Sequence, residues 1–400
     1  MRITQAIIAV VAMAGLATAA RADSTQGITA STIMIGNMGP FSGPQSTFTP
    51  LNYGPEAYFR YINEQGGVNG HKFVTVFADD SCNEAKGIAA AKKLIYEDKV
   101  FMIMANPCSG VAMAIKPMLV QEGVPWIGAS ANPKISRPAS PGIFHSTYTG
   151  IESGRAMASF AMGKPGTTKI ALAMHSDDWA HGYCDNATDY IKGHNGEIVA
   201  TTALEHGATD GTAQALQIKA SGAQAVMACL YQPELIVLLR ELQKYQVDVI
   251  VLGALGADFD QVIQAFPNHD YLKQRFFQPY QFKAKIGTGP LKKFHDIFVK
   301  YLTKDELPKV GEPTNFYYFG VPAAIVTVEA FRRAGPNPTR ESWEKAMESL
   351  KDFDTGVLAD SETFGPDKHV GVEKMYAVGL DAQGQETVYK AWGEALPETE

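Results

Sequence analysis

Thr32-Ile33-Met34-Ile35-Gly36-Asn37-Met38-Gly39-Pro40-Phe41-Ser42-Gly43-Pro44 decides how the rest of the chain is read. Residues 32–36 are a short β-branched and apolar run, the pattern of a buried strand, and the Gly/Ser/Pro cluster after them marks a loop. The same beat follows. Residues 55–65 read as an amphipathic helix that stops at Gly66-Gly67, with glycine in the usual C-terminal place. Strands over 72–78 and 100–105 alternate with helices over 84–97 and 111–122, and a further strand opens at residues 125–128. Strands that alternate with helices at this spacing imply a parallel sheet covered on both faces. The rhythm restarts at residues 169–174. Helices over 184–193, 211–221 and 233–245 then separate strands over 196–203, 225–230 and 249–252. Two similar α/β units result, without a convincing sequence repeat between them. The last section differs. Helices over 290–302, 317–334 and 340–350 precede strands and turns over 353–364, 370–380 and 385–392. A late helical block needs a surface to pack on, and a return to the first unit before a final crossing to the second supplies one.

The N-terminus carries an export pattern. Met1-Arg2 gives a positive end, residues 6–20 are apolar or small, and Ala20-Arg21-Ala22 is an A-x-A cleavage sequence. We expect a signal peptide over 1–22, cleaved after about Ala22, rather than a transmembrane anchor, because the apolar run is too short to span a bilayer. No cysteine stands at the cleavage position to take a lipid, and no later stretch is long enough to cross a membrane, so the expectation is an exported soluble protein. Without Arg2 and Arg21 the 35 basic residues fall to 33 against 42 acidic ones, a net charge of −9. An acidic chain with no basic block is a poor nucleic-acid binder. The mature length suits two domains, since single cores stop growing at ~250–300 residues. The four cysteines, Cys82, Cys108, Cys184 and Cys229, are an even number in a compartment that permits disulfides.

An ordered set of motifs resembles the type I periplasmic solute-binding proteins of ABC transporters, the branched-chain amino acid-binding (Leu/Ile/Val-binding) family. Residues 36–44 look like that family's first strand and Ser-Gly-Pro loop, and residues 61–70 (YINEQGGVNG) like its glycine turn. Asp79-Asp80-Ser81-Cys82 matches its acidic strand end, and Tyr231-Gln232-Pro233-Glu234 and residues 317–335 fall where the family has them. The resemblance implies two Rossmann-like α/β lobes joined by three hinge crossovers. Lobe I would hold residues 23–146 plus 280–352, and lobe II residues 147–279 plus 353–400. It also implies a monomer that closes on a small solute and delivers it to the membrane permease subunits of an ABC transporter in the periplasm, with no cofactor and no metal. Cys82 and Cys108 are a pair that the family often joins, closing a loop worth roughly 3–4 kcal/mol in the chain-entropy account. For Cys184 and Cys229 the sequence leaves both the bridged and the free state open.

Ligands of parallel α/β sheets bind beyond the carboxyl ends of the strands, which selects the loops at 39–49, 106–110, 128–132, 175–182, 231–233 and 253–258. Ser109 reads as an N-cap, and helix N-termini attract anions. By resemblance, Ser109 and the loop Ser130-Ala131-Asn132 hold a ligand carboxylate. Phe48, Trp179 and Tyr231 fall where the family places ligand walls. The pattern departs at Leu255, where amino acid binders of the family carry an acid for the ligand ammonium. A buried ammonium without a counter-charge is very costly. Leu255 therefore shifts the expectation from an amino acid to a carboxylate without an α-amine, an aromatic acid of the benzoate or cinnamate type. Asp258 keeps the amino acid alternative open if the loop bends toward it. A secreted metal-dependent enzyme is the alternative of another class, resting on His175, Asp177, Asp178 and His181. Their spacing matches no zinc motif, and the G-x-S-x-G elbow and the P-loop are both absent from the sequence.

Overall fold

The computed structural model describes residues 24–311 and 313–390. The expected signal peptide and the last ten residues of the lobe II expectation lie outside them. The first sheet runs β2-β1-β3-β4-β5, all parallel: β1 Thr32–Gly39, β2 Lys72–Asp79, β3 Met102–Met104, β4 Trp126–Gly128 and β5 Ile143–His145. The second runs β12-β11-β10-β9-β8-β6-β7. Here β6 Lys169–Met174, β7 Glu197–Ala203, β8 Ala225–Cys229, β9 Ile250–Gly253 and β10 Phe276–Tyr280 are parallel. Tyr376–Leu380 (β11) and Glu386–Lys390 (β12) complete its edge antiparallel. The helices are α1 Thr49–Glu64, α2 Glu84–Lys92, α3 Ser109–Glu122, α4 Gly150–Met162, α5 Asp178–Gly193 and α6 Thr212–Ser221. They continue as α7 Gln232–Lys244, α8 Phe259–Gln264, α9 Lys292–Tyr301, α10 Leu307–Val310, α11 Asn315–Ala334 and α12 Arg340–Glu348. Among the described residues no helix is long and apolar enough to cross a membrane.

Two helix starts differ from the sequence expectation, each by six residues. The helix expected to begin at Pro55 begins at Thr49, with Pro50 in the first turn and Pro55 inside. The helix expected from Cys184 begins at Asp178, because Asp177 caps it by accepting the Ala180 N–H at 2.8 Å. In both places proline or glycine suggested punctuation that the tertiary contacts override. Strand β5 has three residues and β10 carries Gln278 and Pro279, too short or too polar to stand out.

Segments distant in sequence return to the first sheet. Helix α11 packs along α1 so closely that side chains are excluded at the crossing. A Cβ on Gly54 would lie 2.4 Å from the Tyr317 carbonyl oxygen, and one on Gly320 would lie 2.0 Å from that of Leu51. Pro55 has no N–H to give the Leu51 carbonyl, so the oxygen that Gly320 covers is one that the helix itself leaves unpaired. Arg340, at the start of α12, fans its guanidinium onto the carbonyls of Phe101, Val100 and Glu122. Arg60 makes a two-pronged bond to Glu306 at 2.7 Å and thereby ties α1 to the turn before α10.

The chain passes between the sheets three times, and the three passages are stitched together. Phe282 bridges Leu358, and His145 bridges Val370. The third passage holds Glu362, a fully buried carboxyl whose two oxygens have no hydrogen-bond partner. Burial raises its pKa well above the ordinary value, so it stays protonated.

Two outcomes are expected. Gly320→Ala should destabilise the protein by about 1–3 kcal/mol in urea unfolding, although alanine alone favours a helix by ~1 kcal/mol; an unchanged midpoint would remove the close-contact account. For Glu362, a raised native pKa means that the native state keeps a proton which the unfolded state loses above the ordinary Glu value near 4.3. Stability therefore drops as pH rises above that value, and the drop should be absent in Glu362→Gln. Unfolding curves at a series of pH values from 4 to 8 compare the two proteins.

Candidate functional site: an aromatic cleft between the sheets

The loops at the carboxyl ends of the parallel strands face each other across the gap between the sheets. Phe48 ends the loop after β1, in the turn that leads into α1. Its ring meets that of Tyr231, from the loop after β8, at 5.0 Å, edge to face, and that of Phe316, in the first turn of α11, at 4.9 Å. Trp179 lies 4.4 Å from Tyr231 and 5.1 Å from Tyr183. None of Phe48, Trp179, Tyr231 and Phe316 is more than 7% exposed. Trp179 is not in a polar loop, as the sequence suggested; it sits in the first turn of α5, and Asp177 and Asp178 are the polar start of that helix.

Phe48, Trp179, Tyr183 and Phe316 line a narrow cavity between the sheets; Tyr231 packs behind Phe48 and Trp179 and does not line it. The first sheet's side contributes Phe48, Leu51, Pro107, Ala129 and Ala131. Across the gap stand Trp179, Tyr183 and Leu255, with Phe316 and Phe319 from α11 and Tyr148 from the first passage. No charged side chain among the described residues lines it. The two tyrosine hydroxyls are engaged: Tyr148 donates to the Lys374 carbonyl, and Tyr183 accepts the Leu255 N–H at 3.1 Å.

The residues expected to hold a carboxylate separate into two groups. Cys108, not Ser109, is the N-cap of α3. Ser109 is the first helical residue; its oxygen accepts the Asn132 N–H at 3.2 Å, which leaves its proton to donate. With Gly110 it faces an outer recess beside Trp179 and Tyr231. Ala131 lines the cavity itself, but Ser130 and Asn132 do not. The Ser130 hydroxyl donates to the Asn106 carbonyl at 3.0 Å, and the Asn132 side chain accepts the Lys134 N–H at 3.0 Å. Both fix the loop from within.

Asp258 is engaged elsewhere. One carboxylate oxygen accepts the Gln261 N–H at 3.0 Å and caps α8; the other accepts the Asn315 N–H at 2.9 Å at the start of α11. The acid thereby joins an element of each sheet at their helix N-termini, where negative charge is favoured, although burial raises its pKa. It does not line the aromatic cavity; it lines the adjoining cavity on the hinge side, with both oxygens engaged by backbone N–H groups.

The side chains on which the metal-enzyme alternative rested, His175, Asp177, Asp178 and His181, do not converge. His181 pairs with Asp185 on the exposed face of α5. The histidine that does approach His175 is His206, in ring contact at 4.0 Å, and it is bonded to Asp177 at 2.9 Å. Sequence reading missed His206 because it lies in a separate loop after β7. His175 Nδ1 faces the Leu204 carbonyl at 2.7 Å, and its Nε2 accepts the Tyr231 N–H at 2.9 Å. That pair of bonds fixes a neutral Nδ1–H imidazole with no nitrogen left for a metal. Burial and the neighbouring His206 lower its pKa, outweighing the Leu204 carbonyl and the nearby acids, which raise it.

Both disulfides brace this cleft. Cys82–Cys108 ties the loop after β2 to the cap of α3 beside Ser109, and Cys184–Cys229 ties α5 to the end of β8, two residues before Tyr231. The sequence left the second pair open; the structure bonds it.

The sequence model of the periplasmic binding protein family matches residues 32–385. The chain belongs to this family. An amino acid binding protein of Pseudomonas aeruginosa is 25% identical over 268 residues, 66% of this chain and 69% of that protein. Among solved structures, the fold is similar to a branched-chain amino acid ABC transporter protein from Thermus thermophilus with bound valine. The TM-score is 0.78 at 22% identity, covering 92% of this chain and 96% of that one. It is similar as well to a solute-binding protein of R. palustris in complex with benzoate, with a TM-score of 0.74 at 19% identity over 92% and 98% of the two chains. Family membership and the two-lobed type I fold agree with the motifs read at residues 36–44 and 61–70.

In this periplasmic binding protein the Asp258 double cap is a checkable tie between the sheets. Asp258→Ala should cost roughly 1–2 kcal/mol of stability in urea unfolding, the scale of a lost N-cap. Asp258→Asn, which keeps one accepting oxygen and turns an NH₂ toward the other N–H, should recover only the cap on one of the two helices.

Proposed function

We propose that this protein is the solute-binding component of an ABC importer, and that its ligand is a small carboxylate without an α-amine, an aromatic acid of the benzoate or cinnamate type. One observation carries the choice of ligand: the cavity between the sheets is walled by aromatic and aliphatic side chains, and no acid lines it to balance an ammonium. Leu255 stands in that wall, and the nearby Asp258 has both oxygens on backbone N–H groups. In this reading the ligand ring lies among Phe48, Trp179, Tyr183 and Phe316, with Tyr231 behind Phe48 and Trp179. Its carboxylate points toward the Ser109 hydroxyl and the start of α3, where unpaired helix N–H groups favour an anion. The benzoate complex of a protein with the same fold is consistent with this chemistry. Closure is the work the fold performs: contacts that exist only when both sets of loops meet the ligand shift the equilibrium to the closed form. The closed, liganded form is the one that docks on permease subunits, and the protein acts as a monomer in the periplasm after loss of residues 1–22.

The relative named as an amino acid binding protein keeps one second reading in view, and a single experiment separates the two. Thermal unfolding of the mature protein is followed with benzoates, cinnamates, dicarboxylates and branched-chain amino acids. A ligand at 100 times its Kd adds about 2.7 kcal/mol of stability. Aromatic acids should raise the melting temperature, and Trp179→Ala should abolish that rise. A response to amino acids alone would overturn the aromatic acid reading and leave the transport role standing.

A further inference from the structure

Leu255, Phe316 and Phe319 have two faces. One looks into the aromatic cavity; the other closes the inner end of a second, narrow cavity on the hinge side. One layer of side chains therefore separates the two spaces. The second cavity's outer rim carries Lys285, which is bonded to Glu386, and exposed Asp260.

Its inner wall is polar in an unusual way. Gln281, 1% exposed, lines it, and neither the oxygen nor the nitrogen of its side-chain amide has a hydrogen-bond partner. Gln278, 2% exposed, lines the same wall. Its Nε2 donates to the carbonyls of Ala254 and Ala257 at 3.1 and 3.2 Å, which fixes the orientation of the amide and leaves Oε1 unpartnered. Asn315 repeats the arrangement: Nδ2 donates to the Ala257 carbonyl at 3.3 Å, and Oδ1 is unpartnered. Buried polar groups of folded proteins are nearly always hydrogen-bonded, so such a set in one wall calls for a partner.

We infer that this second cavity is a distal compartment of the ligand site, entered past Leu255, and that it takes the far end of an elongated aromatic acid bearing a neutral hydroxyl. The inference rests on the aromatic acid reading of the first cavity. The donor and acceptor inventory selects the group. The wall offers one NH₂ donor and three amide oxygens, and a hydroxyl donates to one and accepts from the other. A second carboxylate would meet three acceptors for one donor, with Asp260 beyond them and the only lysine of the cavity held by Glu386. A ligand that ends in hydrocarbon would leave the amides unpaired. Length follows from the side-chain layer between the cavities: a ligand that fills both must be longer than one that fills the first alone.

Calorimetry with benzoate, cinnamate, 4-hydroxycinnamate and 4-carboxycinnamate tests this on the mature protein and on Gln281→Leu. The leucine is close in shape, and it replaces an unpaired amide, so the variant should fold with an unchanged or higher melting temperature. In the wild type, 4-hydroxycinnamate should bind about tenfold more tightly than cinnamate, the scale of one or two buried hydrogen bonds, and 4-carboxycinnamate more weakly than either. In Gln281→Leu the hydroxyl preference should disappear while the affinity for cinnamate stays within about twofold. Binding of benzoate with no hydroxyl preference in the wild type, or with a preference that survives Gln281→Leu, overturns the distal compartment and leaves the aromatic acid reading intact. Binding of none of the four acids overturns both.

Discussion

The contact between α1 and α11 at Gly54 and Gly320 is the constraint on which the cleft depends. The two helices are separated by most of the chain, yet their backbones approach to a distance that no Cβ tolerates. Because they cross near their N-terminal halves, the residues at those ends are brought together. Phe48 precedes α1, Phe316 and Phe319 lie in the first turns of α11, and their rings form one side of the aromatic cavity. The same crossing obliges the chain to leave the second sheet after β10 and come back to it before β11. The three passages, and hence a hinge, follow from where one helix packs.

Rigidity is distributed to suit a closing cleft. Each wall carries a disulfide at the root of its ligand-facing loop: Cys82–Cys108 beside Ser109 on one side, Cys184–Cys229 beneath Trp179 and Tyr231 on the other. In the chain-entropy account their loops, with separations of 26 and 45 residues, contribute roughly 3–4 kcal/mol each. The ties between the walls are weaker and of another kind: the Asp258 bond to the Asn315 N–H, the rings of Phe48 and Tyr231, and the short bridges between passages. A structure with covalent bonds inside each wall and non-covalent ties between walls, the Arg137–Glu152 ion pair at 2.6 Å among them, can part along the gap without loss of either wall's geometry.

Much of this was legible in the sequence. The alternation of β-branched runs and helices gave both sheets, because periodicity and glycine placement are local signals. Phe48, Ala131, Trp179 and Leu255 could be placed at the cleft because ligand loops follow strand ends in parallel sheets. What escaped reading depended on contacts between distant segments. Gly182 looked like a turn; in the structure a Cβ there would press on the Ala131 carbonyl at 3.2 Å, and the helix runs straight through it. Ser130 and Asn132 carry the right donors, but the Ser130 hydroxyl goes to the Asn106 carbonyl and the Asn132 N–H to the Ser109 oxygen. No periodicity announces His206, or the three amides that share a wall from β10, the passage after it and α11. Their meeting is a property of packing.

The absence of charge from the cavity also bears on how closure is driven. A ligand moves an open–closed equilibrium only by what it contributes differently to the two states. Here the closed state already buries Phe48 against Tyr231 and Phe316, so an apolar ligand gains little by adding burial that the protein supplies itself. A flat ring is the shape that loses least, since it enters between aromatic faces and keeps the offset and edge contacts that such rings prefer, at ~0.5–1.5 kcal/mol per pair. The carboxylate then does what the rings cannot. In the open form water solvates it; in the closed form Ser109 and the start of α3 must replace that water from one side while the aromatic wall excludes it from the other. Hydrogen bonds to a charged group in such surroundings are worth ~1.5–3 kcal/mol each, more than one aromatic pair. In the proposed reading, selectivity for an acid and the energy of closure therefore come from the same few bonds at the start of α3, and the rings set the thickness of what can reach them.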